Sequence, residues 1–242
     1  MAIYLAALTV ASTAIGGLLA LKAKDRFHLV LGLSAGLLLG LVGFDLLPEV
    51  FKNSNTTGGV PTVSIAILVG FLLLHISERR FGGHEPVDSE YSHDHTHGSI
   101  AGGIGAVAMA GHVFLDGAAI GLAFKVSNKL GFAVFIALLV HAFSDGLNTV
   151  SMLVKSGNWK STSKMLLIVD AIARIGGAAL GTYVTFEGNF LTIYLALFSG
   201  IVIYVATSHI LPEAHSHHPS RWTFAATGVG VLAMWLIIGA LG

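Results

Sequence analysis

Eight apolar stretches, at roughly 2–21, 28–51, 60–78, 99–124, 130–154, 164–186, 189–213 and 221–241, restrict what this chain can become. Each is long enough to cross the ~30 Å hydrocarbon core of a bilayer as a helix, which takes about 20 residues. They are too long and too continuously apolar for barrel strands, and a helix satisfies its own backbone in lipid. The composition agrees: 54% of the 242 residues are hydrophobic and only 11% are charged, whereas a soluble domain carries roughly a quarter charged. The expectation is an all-α polytopic membrane protein, with one transmembrane domain over 1–242.

A net charge of zero offers no basic face for nucleic acid, and the absence of cysteine excludes disulfides and thiolate metal sites. The opening "MAIYLAALTVASTAIGG" lacks the charged start of a signal peptide and reads as a first helix. Six of the seven connections are short. The exception, "ERRFGGHEPVDSEYSHDHTHGS" (78–99), is polar, carries four histidines and has no helical period; it is expected to be disordered without metal. With the N-terminus outside, the inner connections hold Lys22, Lys24, Arg26, Arg79, Arg80, Lys155, Lys160, Lys164 and Arg221, and the outer ones only Lys52, Lys125 and Lys129. This asymmetry places both termini outside and the histidine-rich loop (79–98) in the cytoplasm.

Gly32, Gly36 and Gly40, Gly117 with Gly121, and Gly177 with Gly181 repeat the small-xxx-small spacing of closely packed membrane helices. Such faces also permit a homodimer. "DLLPEVF" (45–51) and "HILPEAH" (209–215) match at one offset of 164, aligning Asp45 with His209, Pro48 with Pro212 and Glu49 with Glu213. Helices 1–3 and 6–8 are therefore candidate repeats of opposite orientation around helices 4 and 5, and inverted repeats of this kind are typical of transporters.

Two further segments, "HVFLDG" (112–117) and "HAFSDG" (141–146), place a histidine and an aspartate four residues apart inside membrane-length helices. Residues i and i+4 share a helical face. If the two faces meet, His112, Asp116, His141 and Asp145 form an N2O2 set suited to zinc, iron, manganese or cobalt. A charged aspartate at a helix centre costs roughly 2.5–3.5 kcal/mol, and two close together repel; a divalent cation removes both penalties. The alternative is a structural network in which each aspartate bonds a histidine. Gly117 and Gly146 leave room for a neighbouring helix or an ion's path, and Asn148 offers either another oxygen or an interhelical hydrogen bond.

"HVFLDGAAIG" and "HAFSDGLNTV" resemble the helix-4 and helix-5 metal motifs of the ZIP (Zrt/Irt-like) transporters, particularly their GufA-like bacterial branch. "LLPEV" and "ILPEA" resemble that family's helix-2 and helix-7 segments, and a histidine-rich loop between helices 3 and 4 is typical of it. The resemblance implies eight helices in an inverted 3+2+3 bundle of a cell membrane, a bacterial inner membrane for that branch. It also implies transport of divalent ions, zinc foremost, toward the cytoplasm, with metal bound between helices 4 and 5 and no organic cofactor. Several positions depart from the family pattern. Val113 and Ala142 stand where Asn is frequent, Leu115 and Ser144 where Pro is frequent, and both acids are Asp rather than Glu. Arg174 falls near the helix-6 carboxylate of members that hold two metals. A permanently cationic guanidinium there implies a single ion.

Asp170 and Arg174, themselves i,i+4, read either as an intrahelical ion pair or as groups beside the metal. Asp45 and His209 are candidates to line an ion path, with Glu213 a weaker one near a helix end. Pro48 and Pro212 suggest hinges, local unwinding or plain kinks. His93, His95 and His97, with His215, His217 and His218, are candidate cytoplasmic metal acceptors. His28 and His75 read as interfacial residues. Proton competition for the aspartates predicts pH-dependent uptake. The expectation is a transporter and not an enzyme. The rivals are an intramembrane metal-dependent hydrolase using Ser144, and a membrane protein that binds metal without moving it.

Overall fold

The computed structural model describes residues 1–20, 27–52, 54–81, 98–155, 161–184, 189–216 and 221–241. Eight helical spans follow one another, as the apolar runs require: α1 (Ala2–Ala20), α2 (27–52), α3 (Thr62–Phe81), α4 (Gly98–Val126), α5 (Asn128–Lys155), α6 (Ser161–Tyr183), α7 (190–216) and α8 (Arg221–Leu241). The segments in α1, α2, α5, α7 and α8 are long and apolar enough by themselves to cross a membrane. The 20, 29 and 23 residues of α3, α4 and α6 reach a similar depth at about 1.5 Å per residue. The chain is an all-α polytopic membrane protein. Its exposed side chains include Leu8, Ile15, Leu68, Leu72, Ile168, Ile172, Leu232 and Trp235, an outward apolar surface of the kind lipid requires.

One short feature escaped the hydropathy pattern. Between α2 and α3, Thr56–Thr57 pairs antiparallel with Val60–Pro61. Gly58 and Gly59 make the turn with φ of +59° and +80°, a backbone that glycine adopts without steric cost.

The proline motifs do not unwind their helices. Instead α2 runs α-helical over Phe27–Leu41, π-helical over Val42–Leu46 and α-helical again over Leu47–Lys52. The corresponding parts of α7 are Phe190–Tyr204, Val205–Ile210 and Leu211–Ser216. Proline has no N–H and its ring crowds the carbonyl four residues back; a widened turn relieves both. The Leu47 N–H bonds the Val42 carbonyl, and the Leu211 N–H bonds the Ala206 carbonyl. Both partners are displaced by the same 164 residues as the proline motifs.

Packing sorts the helices into close pairs: α1 with α5, α4 with α6, α2 with α8 and α3 with α7. The first two pairs form one bundle, in which α1 also meets α6 and α4 meets α5; α2 and α8 lean on α5 to join the other bundle to it. Helices 4 and 5 are thus each more intimately packed with a helix of a flanking triplet than with each other. Glycine permits every close pair. A Cβ on Gly146 would overlap the Thr13 carbonyl oxygen, and one on Gly16 the Phe143 carbonyl. Between α4 and α6, Gly117 meets the Arg174 carbonyl and Gly177 the Phe114 carbonyl in the same way. Gly117 and Gly146 therefore make room for a neighbouring backbone, which decides between the two readings offered for them. Between α2 and α8, Gly36 abuts the Thr227 carbonyl and Gly230 the Leu33 carbonyl; between α3 and α7, Gly200 abuts Ile67 and Gly70 abuts Leu197. Leu33 and Gly36 again precede Leu197 and Gly200 by 164.

Candidate metal centre

The i,i+4 spacing acts as expected from sequence. On α4, His112 Nε2 lies 3.8 Å from Asp116 Oδ2; on α5, His141 Nε2 lies 3.5 Å from Asp145 Oδ2. The two pairs face one another, with 3.4 Å between the Nε2 atoms of His112 and His141. One ligand atom from each of the four residues falls within 4.8 Å of all the others. Donors bound to zinc at about 2.0–2.2 Å in a tetrahedron stand roughly 3.3–3.6 Å apart, so small side-chain adjustments bring this set onto one ion. The donors are two imidazoles and two carboxylates, a borderline-to-hard set. Asp116 and His141 are buried, while the side chains of His112 and Asp145 keep 14% and 16% exposure. The centre is therefore shielded but reachable.

Arg174 behaves differently from the simplest sequence reading. Among the described residues no ion pair joins it to Asp170. Its Nη2 instead lies 3.8 Å from Asp116 Oδ2 and 3.5 Å from Asp145 Oδ2. The close α4–α6 approach at Gly117 brings the α6 backbone against α4, and the Arg174 side chain, 2% exposed, has the two carboxylates within reach. A single fixed cation thus stands against both aspartates, as its permanent charge requires in a low-dielectric setting. Asp170 is left buried, with Oδ1 lacking a hydrogen-bond partner among the described residues.

The other candidates are dispersed. Asp45 and His209 occupy the two π-helical segments, and neither belongs to the four-ligand cluster. Asp45 is half-buried, with Oδ2 unpartnered among the described residues. His209 has its ring 5.5 Å from that of Tyr204, whose hydroxyl lies 3.3 Å from His75 Nδ1; His75 is thereby tied to α7 and is more than an interfacial residue. Glu213 is exposed, and Glu49 pairs with Lys52 at 3.0 Å. His215 places Nδ1 2.7 Å from the Leu211 carbonyl and its ring 4.4 Å from Phe224, which commits one of its two nitrogens locally. His93, His95, His97, His217, His218 and the Asn148 side chain lie outside the described residues.

Two contributors were not singled out from sequence. The Tyr194 hydroxyl donates to the Leu115 carbonyl at 3.0 Å, linking α7 to the turn that carries Asp116. An aromatic residue with a polar tip in a buried helix is the only sequence signal for it. Tyr194→Phe is expected to cost about 1 kcal/mol in thermal unfolding in detergent while leaving zinc affinity within a few-fold. Thr13, whose hydroxyl donates to the Thr9 carbonyl at 3.2 Å, lines a cavity of about 80 Å³ together with Asp145, Asp170 and Arg174. Ser144, by contrast, is 1% exposed and donates to the Val140 carbonyl at 3.2 Å. Its hydroxyl is spent within its own helix rather than presented as a nucleophile.

Known proteins resemble this chain in sequence. The chain is 31% identical to rat zinc transporter ZIP4 over 131 residues, covering 52% of this chain and 20% of that protein. It is 26% identical to the zinc transporter YKE4 of Saccharomyces cerevisiae over 253 aligned positions, covering 88% of this chain and 73% of the yeast protein. Zinc transporter ZIP9-A of Xenopus laevis is 25% identical over 194, covering 74% of this chain and 62% of its own length. The chain thus spans only about a fifth of the rat protein that it matches. The ZIP Zinc transporter family pattern matches residues 82–238, a stretch that includes both histidine–aspartate motifs, Arg174 and the second proline motif, and the chain belongs to the ZIP zinc transporter family.

Proposed function

We propose that this protein carries divalent transition-metal ions, zinc foremost and iron, manganese or cobalt as further candidates, across a membrane toward the cytoplasm. The ion is held at one centre by His112, Asp116, His141 and Asp145. The observation that carries this reading is the convergence of those four donors from α4 and α5 within 4.8 Å. The zinc transporters among its relatives support the choice of metal. Arg174 limits the centre to one ion, because its charge already stands against both aspartates. Helices α1–α3 and α6–α8 act as inverted repeats around α4 and α5; the recurring 164-residue offset in the π-helical turns and glycine contacts supports this arrangement. Asp45 and His209, in those turns, line the route on either side of the centre. The histidines of the 79–98 loop, with those at 215–218, accept the ion on the cytoplasmic side, and no organic cofactor takes part. The proposed role is transport and not catalysis; the Ser144 hydroxyl, which a hydrolase reading would use, donates to the Val140 carbonyl of its own helix.

The test is zinc uptake into proteoliposomes, measured alongside equilibrium zinc binding in detergent. Asp145→Ala is expected to reduce both by at least about 100-fold, beyond the roughly 10–100-fold cost of losing only an outer partner of a metal ligand. Uptake at the wild-type rate by this variant would overturn the assignment. Turnover of lipid or peptide by the wild type, without zinc flux, would favour the hydrolase instead.

A further inference from the structure

Arg174 stands against two ligands of the centre without being firmly bonded to either. Its Nη2 lies 3.8 Å from Asp116 Oδ2 and 3.5 Å from Asp145 Oδ2, beyond the roughly 2.7–2.9 Å of a charge-assisted hydrogen bond. Its Nη1 and both of those oxygens lack a hydrogen-bond partner among the described residues. A buried guanidinium is ordinarily fixed by a fork of bonds to one carboxylate; this one is held by charge and keeps its freedom to turn. One helical turn back on α6, Asp170 is 6% exposed, and its Oδ1 is likewise unpartnered among the described residues. Residues four apart share a helical face, so a second carboxylate stands within reach of Arg174. A cavity of about 80 Å³ joins the two positions, lined by Asp145, Asp170 and Arg174 and otherwise mostly by aliphatic groups such as Val113 and Leu167. It exceeds the roughly 30 Å³ share of a water molecule, which leaves the guanidinium room to swing.

We propose that Arg174 is a pivoting counter-ion, which neutralises Asp116 and Asp145 between ions and turns to Asp170 when an ion takes those two carboxylates. The pivot rests on the four-ligand centre proposed above and concerns how that centre is filled and emptied. A divalent ion and the guanidinium compete for the same two oxygens, and in a low-dielectric space they also repel each other. Once the ion is bound, Asp170 is the uncommitted carboxylate nearest to Arg174 along α6, and the aliphatic wall around it strengthens their attraction. Rotation about the side-chain bonds of Arg174 is enough to exchange one partner for the other, with no movement of the helix. Release runs the pivot backwards: as the ion departs, the returning guanidinium compensates the two aspartates and opposes rebinding. Asp170 is thus a positioning residue that acts on the ion through Arg174, and is not itself a ligand.

The test is zinc affinity, measured by calorimetry on the full chain in detergent, for the wild type, Asp170→Asn, Arg174→Met and the double variant. Charges that stay in place act on the ion additively, so two fixed groups show no coupling; a group that moves because of the other does. Asp170→Asn is expected to weaken zinc binding about ten-fold more with Arg174 present than in the Arg174→Met background. Asp170→Glu, which keeps the receiving charge, is expected to stay within a few-fold of the wild type. Crystals of the wild-type chain soaked in zinc are expected to show the guanidinium bonded to Asp170. Equal effects of Asp170→Asn in the two backgrounds, or a guanidinium still against Asp116 and Asp145 with zinc at the four ligands, would overturn the pivot and leave the centre standing. Wild-type zinc binding that Asp145→Ala leaves unchanged would overturn the centre and the pivot with it. Should an Arg174 variant fail to fold, the zinc-soaked wild-type crystals decide.

Discussion

Arg174→Met is expected to destabilise the protein in the absence of metal by about 3–5 kcal/mol, the usual cost of removing one partner from a buried ionic group, and zinc is expected to reverse that loss. In the wild type the guanidinium stands 3.5–3.8 Å from one oxygen of each aspartate. Without it, two carboxylates share a shielded space uncompensated. A divalent ion at the four ligands supplies the missing charge and more. With Arg174 present, two carboxylates, one guanidinium and one Zn2+ sum to +1; without it, the sum is zero. A unit charge about 4 Å from a divalent ion costs on the order of 8 kcal/mol at an effective dielectric near 20. Survival of even a fifth of this after relaxation makes zinc bind at least about ten-fold tighter in the variant. Thermal unfolding in detergent over a zinc series measures both effects: the variant starts lower and climbs more steeply than the wild type. Tighter holding slows release, so proteoliposome uptake at saturating zinc is expected to fall. Equal zinc affinity in the two proteins would show that Arg174 does not act on the centre.

Gly177→Ala and Gly176→Ala are expected to have opposite outcomes although the residues are neighbours in one helix. A Cβ at position 177 would overlap the Phe114 carbonyl oxygen of α4, whereas one at 176 meets only the Phe114 ring edge at 4.0 Å. Gly177→Ala forces α6 away from α4, at a cost of about 2–3 kcal/mol. It also moves Arg174 relative to Asp116, so zinc uptake drops with stability. Gly176→Ala gains helix propensity, worth up to about 1 kcal/mol, and keeps wild-type uptake. Thermal unfolding and zinc uptake of the two variants, side by side, separate the close-approach position from the spare one. A single methyl group decides the result, because the contact is backbone to backbone and has no flexible side chain to yield.

Much of this protein is local and therefore legible in order along the chain. Eight runs of apolar residues can only be helices in lipid, since no other structure bonds its own backbone within one segment. The alignment of His112 with Asp116 and of His141 with Asp145 follows from 3.6 residues per turn, and two such pairs offer a four-donor set once packing brings their faces together. The proline motifs announced an irregularity in α2 and α7, but not its form. Whether the helix unwinds or widens into a π turn depends on the hydrogen bonds still open to Leu47 and Leu211.

The tertiary structure decided what lies across from what. Spacing alone offered Arg174 to Asp170; the α4–α6 approach at Gly117 and Gly177 offered it two carboxylates instead, and a buried cation settles where more opposite charge surrounds it. That choice isolated Asp170 in a cavity shared with Asp145, which no pattern along α6 contains. The pairing of α1 with α5 and α4 with α6 likewise depends on carbonyls supplied by distant residues, Thr13 and Phe143, Arg174 and Phe114. Helical periodicity is a property of one segment and is written in its residues. Which charges compensate one another is a property of the low-dielectric space between segments, and exists only once they are packed.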